Sequence, residues 1–346
     1  MIEVSELTKY YGDRKGVGPL SFSIESGEIV GLLGLNGAGK TTTLRMLSSD
    51  LLPTSGRILI DGVDLTEQPE KVRARIGYLP ERPPLYEEMQ VQEYLRFAAQ
   101  LRGMPRAKLE ERVIAAMEVT QLTAEQTTRI SELSHGFRQR VGIAQAVVHG
   151  PALLLLDEPI KGLDPVQIVE MRQLVRSLGG DHTVVISSHI LSEISETCDR
   201  LLIIQDGEII AQGSEQELAT KLSPGQSVLV TIRLPAEWGA YRTTGLDRAT
   251  KLVRAVAGVT SAEPAPLTEP GERVVVLQVR SERDVREALC ARLVESGVGV
   301  LGLGRSAGEL EDVFLRLLGA ETGAVKHAGT RKPGEHKRAD GAEEGA

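Results

Sequence analysis

The octamer Gly34-Leu35-Asn36-Gly37-Ala38-Gly39-Lys40-Thr41 fits GxxxxGK[ST] and restricts the fold more than any other stretch of the chain. Before it, the apolar run Ile29 to Leu33 reads as a buried strand; after it, Thr42 to Ser48 reads as a helix. This strand, loop and helix context is what a phosphate-binding loop requires. Gly34, Gly37 and Gly39 let the backbone turn where a Cβ would clash, so successive N–H groups along residues 34–42, from Gly34 to Thr42, point inward at a polyphosphate. The helix starting near Lys40 adds its N-terminal partial positive charge. Lys40 can reach β- and γ-phosphates, and the Thr41 hydroxyl can ligate Mg2+.

A chain of 346 residues with 41% hydrophobic content suits two globular domains, each with a core. The net charge of −8 argues against a nucleic-acid partner, because neutralising phosphates takes clustered Lys and Arg without as many acids nearby. KVRAR at 71–75 reads as a solvated helix face. Cys198 and Cys290 lie far apart without His at ligand spacing, so neither zinc nor a disulfide framework is expected, which fits a reducing cytoplasm. No secretion signal opens the sequence and no apolar run approaches a membrane span. The expectation is a chain soluble on its own that meets a membrane through a partner.

Along the chain, MIEVSELTKYY reads as an edge strand. Tyr10 and Tyr11 can stack on an aromatic base or pack on that sheet edge. From Val91 to about Leu122, helical periodicity marks two amphipathic helices split near Gly103 and Pro105, a small helical insert. In LSHGF, Ser134 is a helix N-cap and Gly136 leaves first-turn N–H groups open to an anion; read alone, this is just a capped helix start. Leu153 to Leu156 read as a buried strand that delivers Asp157 and Glu158 to the carboxyl edge of a parallel sheet. There Asp157 can hold the Mg2+ shell and Glu158 can orient and deprotonate an attacking water, or the two acids can cap the next helix. HTVVISSHI reads as a neighbouring strand ending at His189, placed to hydrogen-bond a γ-phosphate or to serve structure alone. LSEISETCDR reads as a helix, and RLLIIQDGEIIAQGS as a hairpin turning at Asp206-Gly207.

In this order, over residues 1 to 218, the pieces resemble the ATPase subunit of ABC transporters. Residues 34–41 look like its Walker A motif, LLLLDE like Walker B with a catalytic Glu158, LSHGF like the signature, and Gly162-Leu163-Asp164 like the D-loop. His189 looks like the switch histidine, and Tyr11 matches the adenine-stacking aromatic. IGYLPE matches the Q-loop with Glu81 where the family usually has Gln, keeping an oxygen for the Mg2+ shell or the catalytic water. His135 stands for the usual Gly and Phe137 for the usual Gln; Ile160 and Lys161 stand where small polar residues are commoner. YLPE with an aromatic ending the signature is similar to the exporter branch that includes gliding-motility, drug and polysaccharide transporters. The resemblance implies a head-to-tail homodimer. Walker A of one protomer and Ser134 to Gly136 of the other enclose ATP and Mg2+, and Asp164 of the D-loop counts among the cofactor-binding residues. It also implies integral membrane permease partners at the cytoplasmic face of the membrane. A soluble ABC-type ATPase in a non-transport role is the alternative.

The expected architecture is α/β, a P-loop NTPase ABC-type core with a helical insert over 1–218. A small α+β, ferredoxin-like accessory domain follows over 222–320, with strands and helices alternating as β-α-β-α-β-α, then a disordered tail over 321–346. Trp238 reads as a packing residue in the second domain, for which a role in dimer contacts or regulation, or in metabolite sensing, is open.

Overall fold

The computed structural model describes residues 1–222, 226–238, 244–265 and 273–305. Two long strands, β1 (Ile2–Tyr11) and β2 (Arg14–Ile24), precede β3 (Ile29–Leu33) and α1 (Lys40–Leu47). Next come β4 (Ser55–Ile60), β5 (Val63–Asp64), α2 (Pro69–Arg73), β6 (Ile76–Leu79), α3 (Val91–Leu101), α4 (Arg106–Val119) and α5 (His135–Val147). β7 (Leu153–Asp157), α6 (Pro165–Leu178), β8 (Thr183–Ser188), α7 (Leu191–Ile194), β9 (Arg200–Gln205), β10 (Glu208–Gly213) and α8 (Glu215–Leu222) follow. The last elements are β11 (Gln226–Arg233), α9 (Leu246–Arg254), β12 (Val259–Ala265), β13 (Val274–Ser281), α10 (Arg286–Glu295) and β14 (Gly299–Arg305).

The central sheet has the order β10-β9-β3-β8-β7-β6 and is parallel except for β10. Every residue of β3, β7 and β8 is buried, because both sheet faces are covered, and such strands need no alternation of polar and apolar residues. One face packs Leu154 and Leu156 against Leu95, Val141 and Leu174 of the helices. The other packs Val30 and Leu155 against Leu44 of α1 and against Val4, Leu20 and Ile58 of a second, antiparallel sheet. β3 lies beside β8, and β8 beside β7, with Leu33 opposite Ser188 and Asp157 opposite Ser187. Their carboxyl ends therefore share one sheet edge, where open α/β folds bind ligands.

The second sheet runs β2-β1-β4-β5, so β1 is an interior strand and not the edge strand its sequence suggested. Ile2 faces Ile24 on one side and Ile60 on the other. Apolar alternation reports which side chains are buried, not how many neighbours a strand has. LSEISETCDR holds only the short helix α7, while α1 starts at Lys40 and α5 directly after the Ser134 cap. The helical insert stands as read, with Gly103 at φ 73° between α3 and α4.

Residues 226–305 build a third sheet, order β12-β13-β11-β14, antiparallel throughout. With α9 and α10 the element order is β-α-β-β-α-β, a ferredoxin-like arrangement with its own core of Val228, Val230, Leu277, Val279 and Leu289. β12 was not expected. Its sequence VTSAEPA contains a proline and buries fully only Ala262, as an outer strand of a sheet can. Trp238 packs in this core, with the Arg248 guanidinium 4.6 Å from its ring centre. The helix expected over GELEDVFLRLLG and the tail from 321 lie outside the described residues. No helix among the described residues is long and apolar enough to cross a membrane.

Candidate active site

The phosphate loop leaves β3 at Gly34 and enters α1 at Lys40. A Cβ on Gly34 would lie 2.4 Å from the Ile204 carbonyl oxygen, and Gly39, at φ 109°, would drive one against Val17. Only glycine fits at either place. Gly207 donates its N–H to the Ala38 carbonyl at 3.0 Å, and Gly18 donates to the Gly207 carbonyl at 2.7 Å. The loop is thus tied to the hairpin turn at Asp206-Gly207 and, through it, to β2.

A cleft of about 750 Å³ opens along this loop, lined by Tyr11, Asn36, Gly37, Gly39, Lys40, Thr41, Thr42, Glu81 and Glu158 among others. Tyr11 is half exposed at one part of its wall. Lys40 is buried: its Nζ donates to the Gly34 carbonyl at 2.8 Å and the Leu35 carbonyl at 3.3 Å, and lies 3.3 Å from Glu158 Oε1. The second Glu158 oxygen, Oε2, is 2.8 Å from His189 Nδ1. Glu158 holds φ at 50°, a backbone region that few non-glycine residues adopt. Its N–H donates to Ser187 Oγ at 2.9 Å, and the same hydroxyl donates to Asp157 Oδ1 at 2.6 Å. Ser187, absent from the sequence reading, therefore fixes both acids. The signal was there only as the residue two before His189 on a neighbouring strand.

Thr41 Oγ1 donates to Asp157 Oδ1 at 3.3 Å, whereas Asp157 Oδ2 is buried with no hydrogen-bond partner. Burial pushes the Asp157 carboxyl above its ordinary range, the charges of Glu158 and Glu81 push the same way, and hydrogen bonds from Ser187 and Thr41 oppose. A free carboxylate oxygen beside a threonine hydroxyl is an all-oxygen donor set that suits Mg2+, which takes few protein ligands and completes its shell with water and substrate phosphates. No cluster of three or more His, Cys, Asp and Glu that could hold a metal ion occurs among the described residues. Glu81 pairs with Lys161 at 2.6 Å, and that neighbouring cation holds its carboxyl below the usual range.

Ser134, Gly136 and Asp164 do not line the cleft of their own chain. Ser134 caps α5, its Oγ accepting from the Phe137 N–H at 3.4 Å, and Asp164 caps α6 by accepting from Val166 and Gln167 at 3.0 and 2.9 Å. Gly34, Leu35, Ala38, Asp157 and His189 lie outside the lining as well; Leu35 is exposed, and Asp157 lines an adjoining hollow that shares Thr41 and Glu81 with the cleft.

The ABC transporter family model matches residues 17–161. The bacitracin transport ATP-binding protein BcrA of Bacillus licheniformis is 33% identical over 324 residues, covering 93% of this chain and 98% of that protein. The linearmycin resistance ATP-binding protein LnrL of Bacillus subtilis is 30% identical over 321 residues, covering 92% and 98%. A solved structure of the ATP binding subunit of an ABC transporter superposes with a TM-score of 0.58 at 32% identity, over 64% of this chain and 92% of its own. Similarity to BcrA over nearly its full length settles the family: this chain belongs to the ABC transporters, as an ATP-binding subunit that hydrolyses ATP.

Proposed function

We propose that the chain powers export across a membrane, with Glu158 activating the water that attacks ATP. The observation that carries this reading is the carboxylate of Glu158, buried between Lys40 at 3.3 Å and His189 at 2.8 Å on the wall of the phosphate-loop cleft. In it, the N–H groups of residues 34–42 cradle the phosphates, Lys40 turns from the Gly34 carbonyl to the β- and γ-oxygens, and Tyr11 stacks on adenine. His189 holds Glu158 and meets the γ-phosphate. Thr41 and Asp157 would hold Mg2+, with Glu81 reaching its shell; the ion would neutralise charge on the phosphate oxygens.

Ser134, Gly136 and Asp164 stand apart from this cleft, which favours their contribution to the cleft of a second copy. ATP would then join two protomers head to tail and hydrolysis would part them. A hollow of about 780 Å³, lined by Arg45, Arg73, Tyr78, Arg82 and Arg102, shares Thr41 and Glu81 with the nucleotide cleft. Through Arg102 it adjoins an apolar hollow of about 450 Å³ formed by Leu85, Tyr86, Phe97 and Leu101, where Tyr86 and Leu101 are exposed. This face suits a permease subunit, and it would place the chain at the cytoplasmic side of the membrane. Residues 1–218 form the ATPase unit in this reading, and 222–320 an accessory unit. BcrA and LnrL bear the names of bacitracin transport and linearmycin resistance, which favours a role in transport linked to resistance.

Glu158→Gln tests the chemistry. It should lower ATP turnover by about a hundredfold or more while leaving nucleotide affinity intact, and it should accumulate a dimer on size exclusion with ATP. Turnover equal to wild type would remove Glu158 from the reaction.

A further inference from the structure

Three side chains from distant parts of the sequence meet beside the cleft. Lys161 Nζ lies 2.6 Å from Glu81 Oε1, and His135 Nε2 lies 3.1 Å from the Lys161 carbonyl oxygen. The Lys161 N–H donates to the Glu158 carbonyl at 3.2 Å. The Lys161 backbone is thus fastened on one side to the residue that activates water and on the other to the first residue of α5. Only its four-carbon stem and ammonium are free to swing.

The ammonium stands among phosphate-binding groups. Lys161 and Glu81 line the same cleft as Gly37, Gly39, Lys40 and Thr41. The field of Lys40 reaches Glu81, and that of Glu158 reaches Lys161. Of the other cations on the wall, Arg14 and Lys15 leave β2 close to Tyr11, and Lys15 is held by Glu208 at 2.6 Å. Besides Lys40, which meets the Glu158 carboxylate directly, Lys161 is therefore the wall cation whose backbone is bonded to Glu158, on the side of the cleft where, in the reading above, the terminal phosphate is cut. Its pair with Glu81 is weakly held, since the two side chains are 50% and 44% exposed and water screens them. A phosphate group carries more charge than a carboxylate and offers three acceptor oxygens, so it competes well for the same ammonium.

We infer that Lys161 is a second phosphate-reading cation of this cleft, which leaves Glu81 for the terminal phosphate of ATP, so that Glu81 acts as the built-in competitor of that phosphate. The inference rests on the reading of the cleft as an ATP site. ADP lacks the group that draws Lys161 away, and with ADP the Glu81–Lys161 pair persists. Exchange of partners also frees the Glu81 carboxylate at the moment the triphosphate brings its metal ion. The chain thereby distinguishes ATP from ADP before any second protomer closes on it.

Competition binding on the full chain with Mg2+ tests this, using a fluorescent trinitrophenyl nucleotide displaced by AMP-PNP or by ADP. Lys161→Met should weaken AMP-PNP about tenfold and change ADP by less than about twofold, the size expected for loss of one charge-assisted hydrogen bond. Lys161→Arg should restore the preference for the triphosphate. Glu81→Gln, which keeps an oxygen but not the charge, should strengthen AMP-PNP and leave ADP as it was. Matched unfolding midpoints confirm that these exposed substitutions leave the fold intact. If Lys161→Met binds AMP-PNP as wild type does, or loses both nucleotides equally, the inference is overturned. If wild type binds neither nucleotide, the reading of the cleft itself fails.

Discussion

Asp157 carries the cost of a charge placed where water is scarce. One of its oxygens is satisfied by Ser187 and Thr41, and the other is buried and unpartnered. Because burial raises its folded-state pKa above the ordinary 3.8, the stability this group supplies is complete below 3.8 and is lost as pH rises through the raised value. Asp157→Asn should therefore unfold at higher temperature than wild type when no divalent ion is added, by a margin that widens from acid to neutral pH, while Mg2+-dependent turnover disappears. Thermal unfolding across pH, beside an ATPase assay, checks both halves. Other parts of the site differ in how far they could be read from the chain. Lys40 and Thr41 share one octamer whose spacing alone dictates their role. Ser187 lies 30 residues from Asp157, and Glu81 lies 80 residues from Lys161. Their meeting follows from strand order and from where two loops come to rest, which no local pattern encodes.

Among elements, the join between α5 and β6 is set by His149, just past the helix end, whose Nε2 lies 3.2 Å from the Ile76 carbonyl oxygen. Burial pushes its imidazole from 6.5 down to about 4, with the charges of Arg102 and Arg112 adding and the Ile76 contact opposing. Nδ1 is buried with no acceptor, so a second proton would have nothing to bind. For this lowered pKa the stability is complete above 6.5 and is lost as pH falls toward about 4. Urea unfolding midpoints should fall over that window in wild type, and His149→Gln should flatten the fall. The strands around this join were readable because buried parallel strands such as Leu153–Asp157 consist mostly of one apolar run, here four leucines before the aspartate. β12 was not, because its exposure pattern resembles a loop and its pairing with β13 supplies the order that its own residues do not. β1 gave its burial correctly and its position in the sheet wrongly, since placement depends on β4, more than forty residues later.

At the scale of the whole molecule, Ser134 and Lys40 belong to different clefts if two copies pair head to tail. Lys40→Ala and Ser134→Arg should each be inactive alone. Mixed in equal amounts, they form heterodimers with one intact cleft, and activity should return toward about a quarter of wild type. No recovery at any mixing ratio would mean that each chain completes its own cleft. The loop that holds phosphate is also a seam. Ala38 is bonded to Gly207 of the β9–β10 hairpin, and Gly207 to Gly18 of the antiparallel sheet. A nucleotide that draws in the loop must drag both layers with it, so the grip on phosphate and the angle between the sheets are one mechanical variable, and whatever pries the sheets apart loosens the nucleotide without touching it.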